Sequence, residues 1–212
     1  MTTILEEPVN LLGHFHDQGY VVARRLLDVD QDIKPVIREY ELLLNSLVSR
    51  WYEGGRLSSN LPDLEFSDKL TVAMAQLGGS EVIQHLDITL PQSELHGDTP
   101  AHFGPAVFQL LTSPRLLDGV EKFIGPEILS NPIQHTRIKP PQHLLGGESV
   151  GDGLVAGTQW HQDDGVGLQE AENSDVLTVW IPITEATVQN GCFLVVPGSH
   201  KEGLALHCLK SP

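Results

Sequence analysis

The chain has 212 residues, with 13 Lys and Arg against 28 Asp and Glu and a formal net charge of −15. That balance excludes a phosphate-backbone partner, because nucleic-acid binding needs a basic face. The length suits one domain with a substantial core, and 40% hydrophobic with 19% charged residues is the composition of a folded protein rather than a disordered one.

No apolar run reaches the length of a membrane span, and the N-terminal Met1-Thr2-Thr3-Ile4-Leu5-Glu6-Glu7 lacks the basic and apolar regions of a signal peptide. Two cysteines, Cys192 and Cys208, make no disulfide framework. The expectation is a cytoplasmic protein acting on a small-molecule substrate, with no nucleic-acid or membrane partner. The oligomeric state is not legible.

In chain order, Gly19-Tyr20-Val21-Val22-Ala23 reads as a short strand. Ile33 to Trp51 reads as a helix, since Ile33, Val36, Ile37, Tyr40, Leu44, Leu47, Val48 and Trp51 recur at helical spacing and Gly54-Gly55 follows. Asp68 to Leu77 is a second helix, with Ser67 as its cap and Gly78 past its end. Ser113-Pro114 opens a third, which Gly125 ends.

Beyond residue 129 the texture changes. Pro132 to Lys139 reads as a strand, and Gln142 to Gly157 as a long glycine-rich loop. Strand candidates follow at Thr158 to Asp163, Val176 to Ile183 and Cys192 to Val196, with turn-rich segments between them. Helices first (about 1–129) and short strands after (about 130–212) suggest a single α+β domain, with helices packed on a sandwich or jelly roll.

The chemistry concentrates at Trp160-His161-Gln162-Asp163. Residues two apart on a strand share a face, so His161 and Asp163 aim an imidazole and a carboxylate at one point. That is two-thirds of the 2-His-1-carboxylate set that holds Fe(II) with positions left open. An isolated His-x-Asp is ordinarily an exposed strand end. Asp164 is the rival ligand, but on an extended strand it points away from His161. Trp180, inside Val-Leu-Thr-Val-Trp-Ile, has the character of a core residue. Arg137 and Lys139 suit either solvent or a carboxylate ligand.

Taken together, Arg137-Ile138-Lys139-Pro140-Pro141, Trp160-His161-Gln162-Asp163, Leu177-Thr178-Val179-Trp180-Ile181-Pro182, Asn190-Gly191-Cys192 and Pro197-Gly198-Ser199-His200-Lys201 resemble, in this order, the phytanoyl-CoA dioxygenase family. Phe15 to Val22 looks like that family's N-terminal strand. The resemblance spans roughly residues 12 to 210. It implies a double-stranded β-helix (cupin-like jelly roll) carrying N-terminal helices, with Fe(II), 2-oxoglutarate and O₂ as cofactor and co-substrates. It implies His161 and Asp163 as iron ligands, and Trp180, Gln162 and Lys139 as co-substrate-binding residues. The activity implied is hydroxylation of a small-molecule or acyl-type C–H bond, coupled to decarboxylation of 2-oxoglutarate to succinate.

The resemblance also implies a distal His and a carboxylate-gripping Arg on the last strands, and neither residue type follows His207. The expectation is therefore a C-terminally incomplete barrel lacking its last strands. His200 belongs to a turn that is structural in the family, and His135 and His143 receive no role. His14, His16, His85, His96 and His102 read as surface or helix-packing residues. Two further readings remain open: a non-catalytic jelly-roll ligand-binding module, and a Zn²⁺ hydrolase using His161 and Asp163 with His200 or His207.

Overall fold

The computed structural model describes residues 10–88, 102–131, 134–139, 160–163 and 176–205. Its helices are α1 (Leu11–Gln18), α2 (Lys34–Glu53), α3 (Phe66–Leu77), α4 (Gly79–Gln84), α5 (Pro105–Leu111) and α6 (Pro114–Ile124). A π-turn, Val29–Ile33, leads into α2, and two 3₁₀ turns, Val188–Asn190 and Ser199–Glu202, lie near the C-terminal end. Among the described residues no helix is long and apolar enough to cross a membrane, and no β-ladder is present.

The core is built on α2. Its apolar stripe buries Val36, Tyr40, Leu44, Leu47, Val48 and Trp51, which is the spacing expected of one helix face. Leu70, Ala73 and Met74 of α3, Val82 and Ile83 of α4, and Val107 and Leu110 of α5 close over it together with Leu57 and Leu86. Ile138, Ile181 and Ile183 pack partly buried against the same cluster. The segments 134–139 and 176–183 therefore dock on the helical layer, and this fixes where the later chain sits.

Helix ends explain which elements the sequence reveals. Ser113 Oγ accepts from Leu116 N at 3.3 Å, and Gly125 adopts φ +83, so α6 stands where the local signals put it. The second expected helix starts two residues early, at Phe66, with Glu65 rather than Ser67 before it. Phe15 to Gln18 corrects the expected N-terminal strand. Asn10 caps Gly13 N at 2.9 Å and Gly19 closes α1 at φ +79, so the residues between them are helical. The segment 19–23 carries no strand. The strands expected over 134–139, 160–163, 176–183 and 192–196 show no ladder among the described residues. The loop from Gln142 to Gly157 lies outside them.

Two consequences can be measured. Leu44 is 1% exposed, and Leu44→Ala is expected to destabilise by about 2–5 kcal/mol in denaturant unfolding. His85 packs edge-on against Trp51 at 5.4 Å. Burial, aided by Arg50 and Arg56 and opposed by Glu81, holds its pKa below 6.5. Between that depressed value and 6.5 the unfolded chain binds a proton that the folded one does not, so stability rises with pH across this window and falls as acid is added. His85→Gln should shrink the difference in Tm between pH 7.5 and pH 5.5.

Candidate metal centre

The segment 134–139 is latched to the helical layer. Asp87, 5% exposed, accepts from Thr136 N at 3.0 Å through Oδ1 and meets His135 Nδ1 at 2.8 Å through Oδ2. The Tyr40 hydroxyl donates to the Leu86 carbonyl at 2.9 Å and lies 2.8 Å from Thr136 Oγ1, which then acts as the donor. Burial pushes the Tyr40 pKa up to about 12, with Glu39 and Asp87 adding to the rise, so the phenol stays a donor at physiological pH. His135, given no role by the sequence, is thus a structural partner of Asp87. Beside this latch, Glu39 of α2 meets His102 Nε2 at 2.9 Å and accepts from Ala106 N at 2.6 Å.

Parity then sorts the segment 176–183. Ile181 and Ile183 pack on the core. Thr178 and Trp180, of the opposite parity, make the contacts that matter for the site. Thr178 Oγ1 donates to Asp163 Oδ2 at 2.6 Å. Trp180 stacks on Phe193, with ring centroids 5.8 Å apart and planes 21° from parallel. Trp180 is 43% exposed, so it is not the sealed core residue that its apolar neighbours imply.

The central pair is brought together, although 160–163 is not a strand and Asp163 belongs to a 3₁₀ turn. His161 Nε2 lies 3.1 Å from Asp163 Oδ1, and the two side chains are 46% and 43% exposed. Ligands in cis positions of an octahedral ion, with bonds of about 2.1 Å, sit about 3.0 Å apart. The separation that lets the pair share a proton therefore also suits two adjacent ligands of one ion. One nitrogen and one oxygen donor match a borderline cation such as Fe(II). Asp163 uses its other oxygen on Thr178, which fixes the plane of the carboxylate in the manner of an outer-shell partner.

Not every expected residue joins this pair. Lys139 is half-buried at the end of the latched segment, beside Ile138. Gln162 directs its amide away from the pair: Nε2 donates to the Gly203 carbonyl at 2.9 Å, and Oε1 accepts from Ala205 N at 2.7 Å. His200 Nε2 lies 3.0 Å from the His16 carbonyl, so that nitrogen is committed to the end of α1. Among the described residues no group of three His, Cys, Asp or Glu is placed to hold a metal ion. Asp164, His143 and His207 lie outside them. Sequence reading missed Thr178 and Phe193; a lone hydroxyl two residues before Trp180 in an apolar run was the signal for the first.

A family model described as phytanoyl-CoA dioxygenase matches residues 15–212. The chain belongs to that family. A curated protein of Caenorhabditis elegans, "Phytanoyl-CoA dioxygenase domain-containing protein 1 homolog", is 24% identical to it over 207 residues, covering 91% of this chain. The chain spans 65% of that relative's length. No solved structure matches it.

The latch gives a first test at this site. Asp87→Ala strands the Thr136 amide and the His135 ring, at an expected cost of about 1–3 kcal/mol. Hydrogen exchange should quicken across 134–139 while α2 stays protected.

Proposed function

We propose that this protein is a non-haem Fe(II)- and 2-oxoglutarate-dependent dioxygenase that hydroxylates a small-molecule or acyl-type substrate, producing succinate and CO₂ from the co-substrate. The observation that carries the reading is the 3.1 Å approach of His161 Nε2 to Asp163 Oδ1 in a chain of the phytanoyl-CoA dioxygenase family. The residues from about 130 onward form a double-stranded β-helix in this reading.

Fe(II), when bound, would supply O₂ activation, and His161 and Asp163 would be two of the residues that hold it. Thr178, by donating to Asp163 Oδ2, would hold the orientation of the carboxylate and leave Oδ1 for the ion. Trp180, braced by Phe193, offers a flat apolar wall to the planar co-substrate and excludes water there. Lys139 stands as a cation for a carboxylate, held by a segment that cannot swing because Asp87 and Tyr40 latch it. A carboxylate at position 163, where halogenating relatives have a small residue, favours hydroxylation.

Anaerobic addition of Fe(II) and 2-oxoglutarate is expected to give a visible charge-transfer band, and admission of air should give succinate. His161→Ala and Asp163→Ala should each weaken metal binding more than about 100-fold. Thr178→Val should weaken it by about tenfold, the loss typical of an outer-shell partner. A wild-type protein with no band and no succinate would overturn the enzymatic reading. It would favour a non-catalytic ligand-binding module, for which the two assembled donors among the described residues already leave room.

A further inference from the structure

We propose that residues 198–205 act as a strap that holds the His161/Asp163 pair in register through Gln162, and that the strap is anchored on the C-terminal end of α1. This rests on reading the pair as metal ligands, and it makes Gln162 a positioning residue rather than one that touches the co-substrate.

Gln162 lies between the two ligands, and its parity turns it to the other side of the chain. Its primary amide has an NH₂ that donates and a carbonyl oxygen that accepts, so it can pair with both the C=O and the N–H of a stretch of backbone. Both are used on one short stretch of backbone, the Gly203 carbonyl at 2.9 Å and the Ala205 amide at 2.7 Å. A single hydrogen bond would leave Gln162 free to pivot. Two bonds to backbone groups two residues apart set both its position and its rotation, and hence the direction in which His161 and Asp163 project.

The strap needs its own foundation, because its residues are largely exposed. It finds one in the carbonyls of the last turn of α1, which have no partner within the helix. Gly198 N donates to the Gln18 carbonyl at 2.8 Å, and His200 Nε2 lies 3.0 Å from the His16 carbonyl. Lys201 Nζ reaches Asp17 Oδ1 at 2.7 Å and holds that carboxyl below its usual range. An exposed ion pair of this kind contributes little alone, so the backbone contacts and the fit of His200 carry the anchoring. Gly19 sits where the two parts meet. It adopts φ +79, and a Cβ there would lie 2.4 Å from His200 Nδ1. Thus the Gly19 that ends α1 and the Pro-Gly-Ser-His-Lys turn at 197–201 form one joint.

Co(II) binding, read from its visible d–d bands, and hydrogen exchange at residues 203–205 together test the proposal on the full chain. Gln162→Ala is expected to speed exchange at the Ala205 amide and to weaken Co(II) binding about tenfold, with helical circular dichroism unchanged. Gly19→Ala, remote from the pair, should weaken Co(II) binding severalfold, and His200→Ala, which removes the contact to the His16 carbonyl, should weaken it in the same direction. Unchanged exchange in Gln162→Ala would overturn the strap whether or not the wild type binds metal. Faster exchange with unaltered Co(II) affinity and spectrum would overturn its role in positioning the pair. A wild type that binds no Co(II) would defeat the metal reading itself. Should Gln162→Ala lose its helical signal, Gly19→Ala alone decides: unaltered Co(II) affinity there counts against the strap.

Discussion

Burial of one face of α2 is the constraint from which the rest of the described structure follows. From Val36 to Trp51 the stripe runs about 22 Å along the helix axis, at 1.5 Å per residue. Leu44, Leu47 and Val48 at its centre are almost wholly withdrawn from solvent. α3, α4 and α5 cover it, and so do Ile138, Ile181 and Ile183 from the segments that carry the candidate site. Thr178 and Trp180 thus sit on a segment whose Ile181 and Ile183 are packed on the helical core, and Thr178 carries that anchoring to Asp163 through its hydrogen bond.

Polar contacts then convert this packing into a defined register. Apolar burial is non-directional and would tolerate some sliding of the segment 134–139 over α2. The Asp87 carboxylate and the Tyr40 hydroxyl remove that freedom, since each meets a specific atom of Thr136 or His135. Buried groups of this kind are costly unless satisfied, so the native register is the one arrangement in which all of them are. On the other side of the pair the same logic acts in a more exposed setting. There Gln162, the turn at 198–202 and the end of α1 exchange hydrogen bonds in sequence.

The chemistry of the candidate site follows from this division of labour. The pair His161 and Asp163 converges within one short segment, Nε2 to Oδ1 at 3.1 Å. What has to be supplied from elsewhere is orientation: Thr178 for the carboxylate plane, and Gln162 for the segment as a whole. Trp180 and Phe193 form a flat, half-exposed aromatic surface nearby, whose value in the dioxygenase reading is to keep water off one side of a bound ligand.

The elements legible in the sequence are those whose causes are local. The α2 stripe is a periodicity, and the start of α6 is Ser113 followed by Pro114. The His161-x-Asp163 convergence is between residues two apart in the chain, and family membership followed from the order of short motifs. α5 was not legible, because Gly104 before it has no capping side chain and the acceptor for Ala106 N is Glu39, distant in sequence on α2. The same holds for the partners of His135, Trp180, Gln162 and His200, each of which meets a residue brought in by the fold. Phe15 to Gln18 read as strand because the helix they form is short and is defined by its two ends, Asn10 and Gly19. Sequence by itself determined the helical core, the candidate His161/Asp163 pair and the family. Tertiary structure decided which side chains brace that pair, because a hydrogen bond between residues far apart in the chain leaves no periodic trace in either segment.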